Sequence, residues 1–287
     1  MELYQVDMYK DETFDEERAL YGSDGAEIVS CRFDGPQDGE SALKESRNIM
    51  VKDSYFNLRY PFWHNDNLSI TTSELTSNCR AAIWYSTNVN ITDSKISGIK
   101  ALRECENVKI SGSNIVSPEF GWYSKAVQMS NSGAESEYFM LRSDELTVSD
   151  FRLLGKYSFQ YITDSTFVNC KLDTKDAFWH AKNVLVKDSI IKGEYLAWYS
   201  ENLTLDNCTI IGTQPLCYCK NLKLINCKMK KTDLAFEKSD VDAEVTTIID
   251  SIKNPASGII RTPGVGEVIL DDPNSKARIK TLKTSIE

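Results

Sequence analysis

The residues best suited to chemistry recur along this 287-residue chain at fixed positions of a repeated phrase. All five tryptophans occupy one position of that phrase, and the next position holds both histidines and several tyrosines. Such side chains combine an apolar ring with a polar group, which suits the binding of sugar rings. We call these two positions the aromatic strip and predict that it binds ligand through Trp63, His64, Trp84, Tyr85, Trp122, Tyr123, Tyr161, Trp179, Trp198 and Tyr199.

Charged residues lie within the aromatic strip and in a column beside it, and they provide candidates for acid–base chemistry. A hydrolase would use a carboxylic acid such as Glu104 or Glu119, whereas a lyase would use an arginine or lysine as base and a tyrosine as acid. Glycosidases place two carboxyl groups about 5 to 9.5 Å apart, but strand geometry puts the backbones of Glu104 and Glu119 ~13 Å apart. The spacing of these residues therefore predicts where a catalytic site would lie, but it does not identify a reaction. The catalytic candidates are Glu104, Arg142, His180, Arg103, Glu119 and Asp176.

The repeat must position these side chains. Its phrase opens at positions 48, 67, 88, 107, 126, 145, 164, 183, 202 and 221, so eight of the nine intervals are equal and one, from 67 to 88, is longer by two. Apolar, often β-branched residues alternate with polar ones, as at Ile49 and Val51, which is typical of a strand with one buried face. A fixed period of about 19 residues indicates a solenoid. Three short strands joined by bends fit such a period, and successive coils would stack ~4.8 Å apart.

The sequence therefore predicts an all-β parallel β-helix of about 11 coils. We expect a single domain over residues 1–287, with a lead-in at 1–24, coils at 25–240 and a closing cap at 241–287. Caps are needed because the end coils of a solenoid expose unpaired strand edges. Seven of the ten opening positions are Asn, which predicts a ladder of side-chain amides at a left-handed bend. Four of the eight cysteines share a column with serines at a tight corner, and we interpret them as packing thiols: Cys31, Cys170, Cys208 and Cys227.

Composition argues against several classes of partner. A formal net charge of −9 disfavours nucleic acid and acidic membrane surfaces, since both reward clustered Lys and Arg. No apolar run is long enough to span a membrane. Eight cysteines without a CxxC pair predict a reduced, cytoplasmic protein. The acidic loop with Asp34, Asp38 and Glu40 would offer oxygen ligands to Ca²⁺, but it lacks the spacing of a recognised calcium loop. We therefore predict a solvated turn there, no metal and no cofactor.

Three segments carry a family resemblance: residues 17–22 (ERALYG), 34–45 (DGPQDGESALKE) and 58–64 (LRYPFWH). They are similar to a bacterial family, domain of unknown function 3737, and the coil pattern resembles the pectin-lyase-like proteins. The resemblance covers nearly the whole chain and implies a right-handed β-helix. Many pectin-lyase-like proteins cleave polysaccharides, as hydrolases or as lyases. Their catalytic Asp and Arg motifs have no residue-by-residue match in this chain, so the resemblance implies a fold and no catalytic residue.

Together these observations predict a protein that binds a carbohydrate-like ligand along the aromatic strip. If it is an enzyme, we expect a glycoside hydrolase or a polysaccharide lyase. The alternative is a non-catalytic structural or self-assembling scaffold, in which the rings stack on one another as a ladder or are covered by the C-terminal tail or by another copy of the chain. An extended strip of exposed rings is more apolar surface than a soluble monomer usually shows without a use.

Overall fold

The computed structural model of the protein describes residues 6–35 and 40–281. These residues form short strands joined by bends, with one 3-10 helix, Ser77–Cys79, in the described part of the chain. The chain divides into two compact units, residues 1–144 and 145–287. Each unit is a right-handed parallel β-helix, so the predicted fold class is confirmed. The single domain over 1–287 stays a prediction.

In the first unit each coil contributes strands to three faces. The first face holds Asp7–Lys10, Asp24–Val29, Arg47–Lys52, Asp66–Thr71, Thr87–Thr92, Glu106–Ser111 and Lys125–Ser130. The second face holds Thr13–Phe14, Arg32–Phe33, Tyr55–Phe56, Glu74–Leu75, Lys95–Ser97, Asn114–Val116 and Gly133–Phe139. Shorter strands complete the coils at Phe62–Trp63, Ile83–Trp84, Leu102–Arg103 and Glu119–Phe120.

The second unit begins within the strand Asp144–Ser149 and has two main faces of its own. Its first face holds Thr163–Val168, Lys182–Lys187, Glu201–Asp206, Leu222–Lys230, Asp240–Val245, Ser257–Thr262 and Arg278–Thr281. The second face holds Arg152–Ser158, Lys171–Thr174, Ile190–Lys192 and Thr209–Ile211, and Leu222–Lys230 bends to serve both faces. A small parallel sheet pairs Ile249–Lys253 with Val265–Ile269.

The coils stack in register, so equivalent residues form continuous buried columns. Val89 pairs with Leu68 in the preceding coil and with Val108 in the next, and all three are at most 1% exposed. Phenylalanines form a second column, in which Phe33 and Phe56 stack with ring centroids 4.5 Å apart. Burial of these apolar columns is the main favourable contribution to folding, at about 25 cal/mol per Å² removed from water.

The described chain makes about 14 turns, so the predicted 11 was too few. The extra coils lie at the ends: Asp7–Lys10 pairs in parallel with Asp24–Val29, and Asp240–Val245 pairs with Ser257–Thr262. They escaped the count because the repeated phrase is weak or absent at both ends, and the step between paired strands also changes near them. The step from Asp24 to its partner Arg47 is four positions longer than the repeat, and the step from Asp240 to Ser257 is two positions shorter. Strand pairing tolerates such changes because the bends absorb insertions and deletions.

The predicted Asn ladder is confirmed within each unit. The Asn67 amide donates to Asn48 Oδ1 at 2.9 Å, and Asn202 donates to Asn183 at 2.8 Å. These residues have φ between 53° and 56°, which is the left-handed region that Asn tolerates better than most residues. The cysteines interpreted as packing thiols are each at most 2% exposed. Every cysteine is free and buried, and burial raises the pKa of the Cys208 thiol to about 12.

Candidate functional site

The aromatic strip lies at one corner of the coil, and the backbone there fixes its direction. Phe62 points inward, Trp63 is half-buried and His64 is exposed. The exposed position is left-handed in every coil, with φ of 55° at His64 and Tyr85 and 56° at Tyr123. A left-handed backbone costs roughly 1–2 kcal/mol for a non-glycine residue. Hydrogen bonds between coils offset this cost, since the Tyr85 N–H donates to the Arg103 carbonyl at 3.1 Å. The outward direction predicted for the strip is confirmed.

The tryptophans of the first unit are held from two sides. The indoles of Trp63 and Trp84 stack with centroids 5.1 Å apart and planes 1° from parallel. Each indole N–H also donates to a carbonyl of the following coil, from Trp63 to Ala81 at 2.6 Å and from Trp84 to Lys100 at 2.7 Å. Ring-on-ring stacking leaves ring edges, rather than free faces, toward solvent along this part of the strip.

Arg103 takes the place of a tryptophan in the next coil. Its guanidinium carbon lies 5.3 Å from the Trp84 ring centroid, 5.2 Å from that of Trp122 and 5.4 Å from that of Tyr123. These distances are within the range of cation–π attraction. The Nε atom also lies 3.4 Å from a carboxylate oxygen of Glu104. Arg103 is therefore a cationic rung of the stack, held by rings on both sides.

The exposed column of the first unit is only partly aromatic. His64 and Tyr85 stack at 5.0 Å, and the following rung is the carboxylate of Glu104, which is 41% exposed. Tyr123 follows and is 46% exposed, while Tyr85 is 39% exposed. This column thus presents hydroxyl, imidazole and carboxylate groups side by side at coil spacing.

In the second unit the ladder is more continuous. Trp179 and Trp198 stack at 5.4 Å with planes 2° apart, and their indole N–H groups donate to carbonyls of the next coil at 2.6 and 2.8 Å. In the exposed column His180 stacks between Tyr161, at 4.7 Å, and Tyr199, at 5.0 Å. Tyr218 extends this column, 4.8 Å beyond Tyr199. The imidazole therefore has a ring on each face and is half-buried.

Two carboxylates among the catalytic candidates, Glu104 and Glu119, have different ion-pair partners. Glu119 makes an ion pair with Lys100 at 3.5 Å, whereas Glu104 pairs with Arg103. Arg142 is exposed, with a left-handed φ of 53°. The structure therefore brings Arg103 and Glu104 together and holds Glu119 in a separate ion pair. Their catalytic roles stay predictions.

Asp176 is the one candidate that is buried, with 7% of its surface exposed. Its Oδ1 atom has no hydrogen-bond partner among the described residues. Burial raises the pKa of this carboxyl group, an effect opposed by the nearby Lys175 and reinforced by Glu194. Lys175 and Glu194 themselves form an ion pair at 3.1 Å beside it. Asp176 therefore holds its proton more tightly than an ordinary aspartate.

The described residues contain no group of three or more His, Cys, Asp or Glu side chains that could hold a metal ion. In the acidic loop, Asp38 lies outside the described residues. Its neighbours have protein partners, because the Asn57 amide donates to Asp34 at 2.8 Å and the Arg59 guanidinium lies 3.4 Å from Glu40. Across the described chain, no helix is both long enough and apolar enough to cross a membrane.

A pocket that the sequence did not predict lies beside the aromatic strip. It has a volume of about 230 Å³ and is lined by Tyr60, Trp63, Arg80, Ala81, Trp84, Ile99 and Lys100. Arg80 was not a candidate because it lies outside the repeated columns. The sequence feature that could have indicated this pocket is the one long interval of the repeat, from 67 to 88. It places two extra residues in the coil that carries Arg80. Insertions in solenoid repeats commonly form loops on a binding face.

The comparisons with known proteins establish the family. No curated protein matches the chain in sequence. Among solved structures, it is similar to the Agl-KA catalytic domain, with 9% identity and a TM-score of 0.39, covering 96% of this chain and 59% of that one. It thus spans 59% of the length of that relative. It is also similar to PfbA, a surface adhesin of Streptococcus pneumoniae, with 13% identity, a TM-score of 0.35 and coverage of 85% and 73%.

A third similar structure is the endo-xylogalacturonan hydrolase from Aspergillus tubingensis, with 11% identity and a TM-score of 0.32. That match covers 99% of this chain and 88% of the hydrolase. At such identities and scores the likenesses carry no functional argument. The family model described as "Protein of unknown function (DUF3737)" matches residues 7–283. The chain therefore belongs to the DUF3737 family.

Proposed function

We propose that the protein binds carbohydrate along the aromatic strip, through ring edges and polar groups rather than open ring faces. The observation that carries this proposal is the exposed column of tyrosines. They are 39%, 46%, 38% and 47% exposed at Tyr85, Tyr123, Tyr161 and Tyr199. Each lies on a left-handed corner of the same kind, so within each unit the two phenol groups leave the backbone in equivalent directions. The pair of phenol groups in each unit provides donors and acceptors that suit the repeating hydroxyl groups of a saccharide chain.

Rigidity supports a binding role for this column. Immobilising a flexible side chain on binding costs about 0.5–1.5 kcal/mol. The tyrosines of the second unit already have little freedom, because Tyr199 stacks on His180 at 5.0 Å and on Tyr218 at 4.8 Å. A ligand would therefore meet side chains that are ordered before it arrives.

The polar members of the strip extend the proposal toward catalysis. A glycoside hydrolase would use Glu104 or Glu119 as the acid, whereas a lyase would use Arg103 or Arg142 as the base. This activity is tested by a polysaccharide panel assayed for new reducing ends and for unsaturated products. Product formation that is unchanged in Glu104→Gln, Arg142→Ala and His180→Ala would remove these residues from the reaction.

The alternative is a non-catalytic scaffold whose strip stabilises the coil or contacts another copy of the chain. The hydrogen bonds of the tryptophans favour this alternative, since the indole N–H groups of Trp63 and Trp198 already donate to backbone carbonyls. Both functions are compatible with the ladder itself. They differ in what covers the exposed tyrosine column in solution.

Removing hydroxyl groups without removing rings separates the two. Tyr85→Phe with Tyr123→Phe in the first unit, and Tyr161→Phe with Tyr199→Phe in the second, keep the stacking but delete hydrogen bonds. A net hydrogen bond contributes about 1 kcal/mol, so each double variant should weaken glycan binding by about tenfold or more. Binding is measured on a glycan array and then by calorimetry with the best ligand. The matched control is Tyr55→Phe, on the second face of the first unit and outside the strip.

Sedimentation of the wild type, Trp122→Ala and Trp179→Ala tests the alternative. The carbohydrate proposal expects a wild-type protein that binds glycan and a control that binds equally well. A protein that binds no glycan and forms a stable dimer, lost in Trp122→Ala and Trp179→Ala, would contradict the proposal and establish the scaffold.

A further inference from the structure

The pocket beside Trp63 and Trp84 combines ring edges with an uncompensated positive charge. Arg80 is exposed, and among the described residues its guanidinium has no ion-pair partner. Lys100 lines the same pocket, but its ammonium lies 3.5 Å from the Glu119 carboxylate. In a chain of formal net charge −9, this pocket is locally positive because Arg80 is not neutralised.

The backbone around Arg80 is built to hold it at this place. The long interval of the repeat accommodates the 3-10 turn Ser77–Cys79. Thr76 caps the turn, and the Cys79 thiol donates to the Phe56 carbonyl at 3.1 Å. Arg80 follows in the left-handed region with φ of 48°. The Lys100 N–H donates to the Arg80 carbonyl at 2.8 Å, which ties the insertion to the next coil.

Gly98 makes this close approach feasible. A Cβ atom added at Gly98 would lie 2.9 Å from the Arg80 carbonyl oxygen and 3.1 Å from its nitrogen. The φ of 127° at Gly98 is also one that L side chains rarely adopt. The insertion therefore packs tightly on the following coil, and Arg80 is presented from a fixed backbone rather than from a free loop.

The other walls are ring edges and apolar surface. Tyr60 packs against Trp63 with centroids 5.0 Å apart, and the exposed Ile99 adds apolar surface to the lining. A saccharide ring offers an apolar face to such walls. A guanidinium is the side chain best suited to planar, bidentate recognition of a carboxylate or a similar oxyanion.

We propose that this pocket is an anion-recognising subsite, in which Arg80 binds a carboxylate or sulfate group carried by a saccharide ring. The inference rests on the proposed carbohydrate-binding function and specifies the ligand as acidic. Arg80 is the specificity-determining residue, while Tyr60, Trp63 and Trp84 form the walls. Recognition is by direct hydrogen bonds to the guanidinium.

The test is a glycan array that includes neutral, carboxylated and sulfated glycans, probed with wild type, Arg80→Gln and Arg80→Lys. We expect the wild type to prefer acidic glycans. Arg80→Gln should lose about tenfold or more of that affinity, because hydrogen bonds to charged groups are among the stronger ones, and Arg80→Lys should retain part of it. Binding of acidic glycans should also weaken as salt is raised. The carboxylated and sulfated arms distinguish the two sources of the charge.

The matched control is Arg152→Gln, an exposed arginine of the second unit away from the strip. It should bind like the wild type, and thermal melting should show that every variant is folded. Wild-type binding to neutral glycans alone, or Arg80→Gln binding acidic glycans as the wild type does, overturns the inference while leaving the proposed function intact. A protein that binds no glycan of any kind overturns both.

Discussion

Each unit has aromatic residues at one corner of its coils, and the two units fill that corner differently. In the second unit rings stack on rings, from Tyr161 through His180 and Tyr199 to Tyr218. In the first unit charged residues enter the stack, with Arg103 between tryptophans and Glu104 in the column of tyrosines. In a ladder of rings alone, the aromatic side chains pack against one another. A ladder that is interrupted by charged residues also contains polar groups that a ligand could contact. The comparison thus shows a stack of rings alone in the second unit and a stack with charged rungs in the first.

The largest expected effect is loss of a rung from the second unit. Trp198→Ala removes the stack on Trp179 at 5.4 Å and leaves the Gln214 carbonyl without the indole N–H. We expect the free energy of unfolding to fall by about 3 kcal/mol, measured by urea denaturation. Trp198→Phe should lose less, because it keeps a ring.

Thiol labelling can show where that loss acts. Burial raises the pKa of Cys217 and of Cys105 to about 12, so both should react slowly unless the structure opens locally. In Trp198→Ala, labelling should accelerate at Cys217 in the second unit more than at Cys105 in the first. Equal acceleration at both sites would show that the effect is not local.

A smaller effect is expected when the cationic rung is removed from the first unit. Arg103→Met deletes the contacts to the rings of Trp84, Trp122 and Tyr123. Cation–π contacts contribute about 0.5–2 kcal/mol, and the melting temperature should fall accordingly. Arg103→Lys keeps the charge but not the planar guanidinium, so it should recover only part of the loss. If Arg103→Met melts like the wild type, the charged break in this ladder has no structural role.

The smallest effect concerns the buried carboxyl group of the second unit. Burial raises the pKa of Asp176, so the folded state binds this proton more tightly than the unfolded chain does. The stability from Asp176 is therefore fully present below the ordinary aspartate pKa and is lost as pH rises through the raised value. Asp176→Asn cannot ionise and should therefore be more stable than the wild type at neutral pH.

This advantage should shrink toward about pH 4, where an aspartate takes up its proton, as followed by urea denaturation across pH. Asp173→Asn is the matched control, because Asp173 is 52% exposed and pairs with Lys192 at 2.7 Å. It should change stability by less than about 1 kcal/mol at any pH. An advantage of Asp176→Asn that does not vary with pH would exclude ionisation as its cause.

Much of the coil was predictable because a solenoid makes each residue's environment repeat. Val51, Ile70 and Ile91 recur at one position of the phrase and are all buried, so alternation alone identifies the inward face. The Asn column was predictable for the same reason. The end coils were not, because one is longer and the other shorter than the period on which the prediction depended.

The site was less predictable than the coil. Its position followed from residue type, since tryptophan and histidine gather in two neighbouring columns. The contacts did not follow, because they depend on side-chain rotamers and on the neighbouring coil. Nothing in the order of residues indicates that Arg103 lies between two indoles, or that the Trp84 indole N–H reaches the carbonyl of Lys100.

The sequence by itself determined the period, the buried faces and the corner that carries the aromatic residues, because these depend on local alternation repeated from coil to coil. Only the tertiary structure decided how that corner is occupied: which rings cover one another, which charges are paired and which are left over. Arg80 shows the difference, since its residue type is ordinary and its position lies outside the columns. Arg80 becomes important because the stacking of coils brings an inserted turn next to Trp63, Trp84 and Lys100, which come from separate parts of the chain.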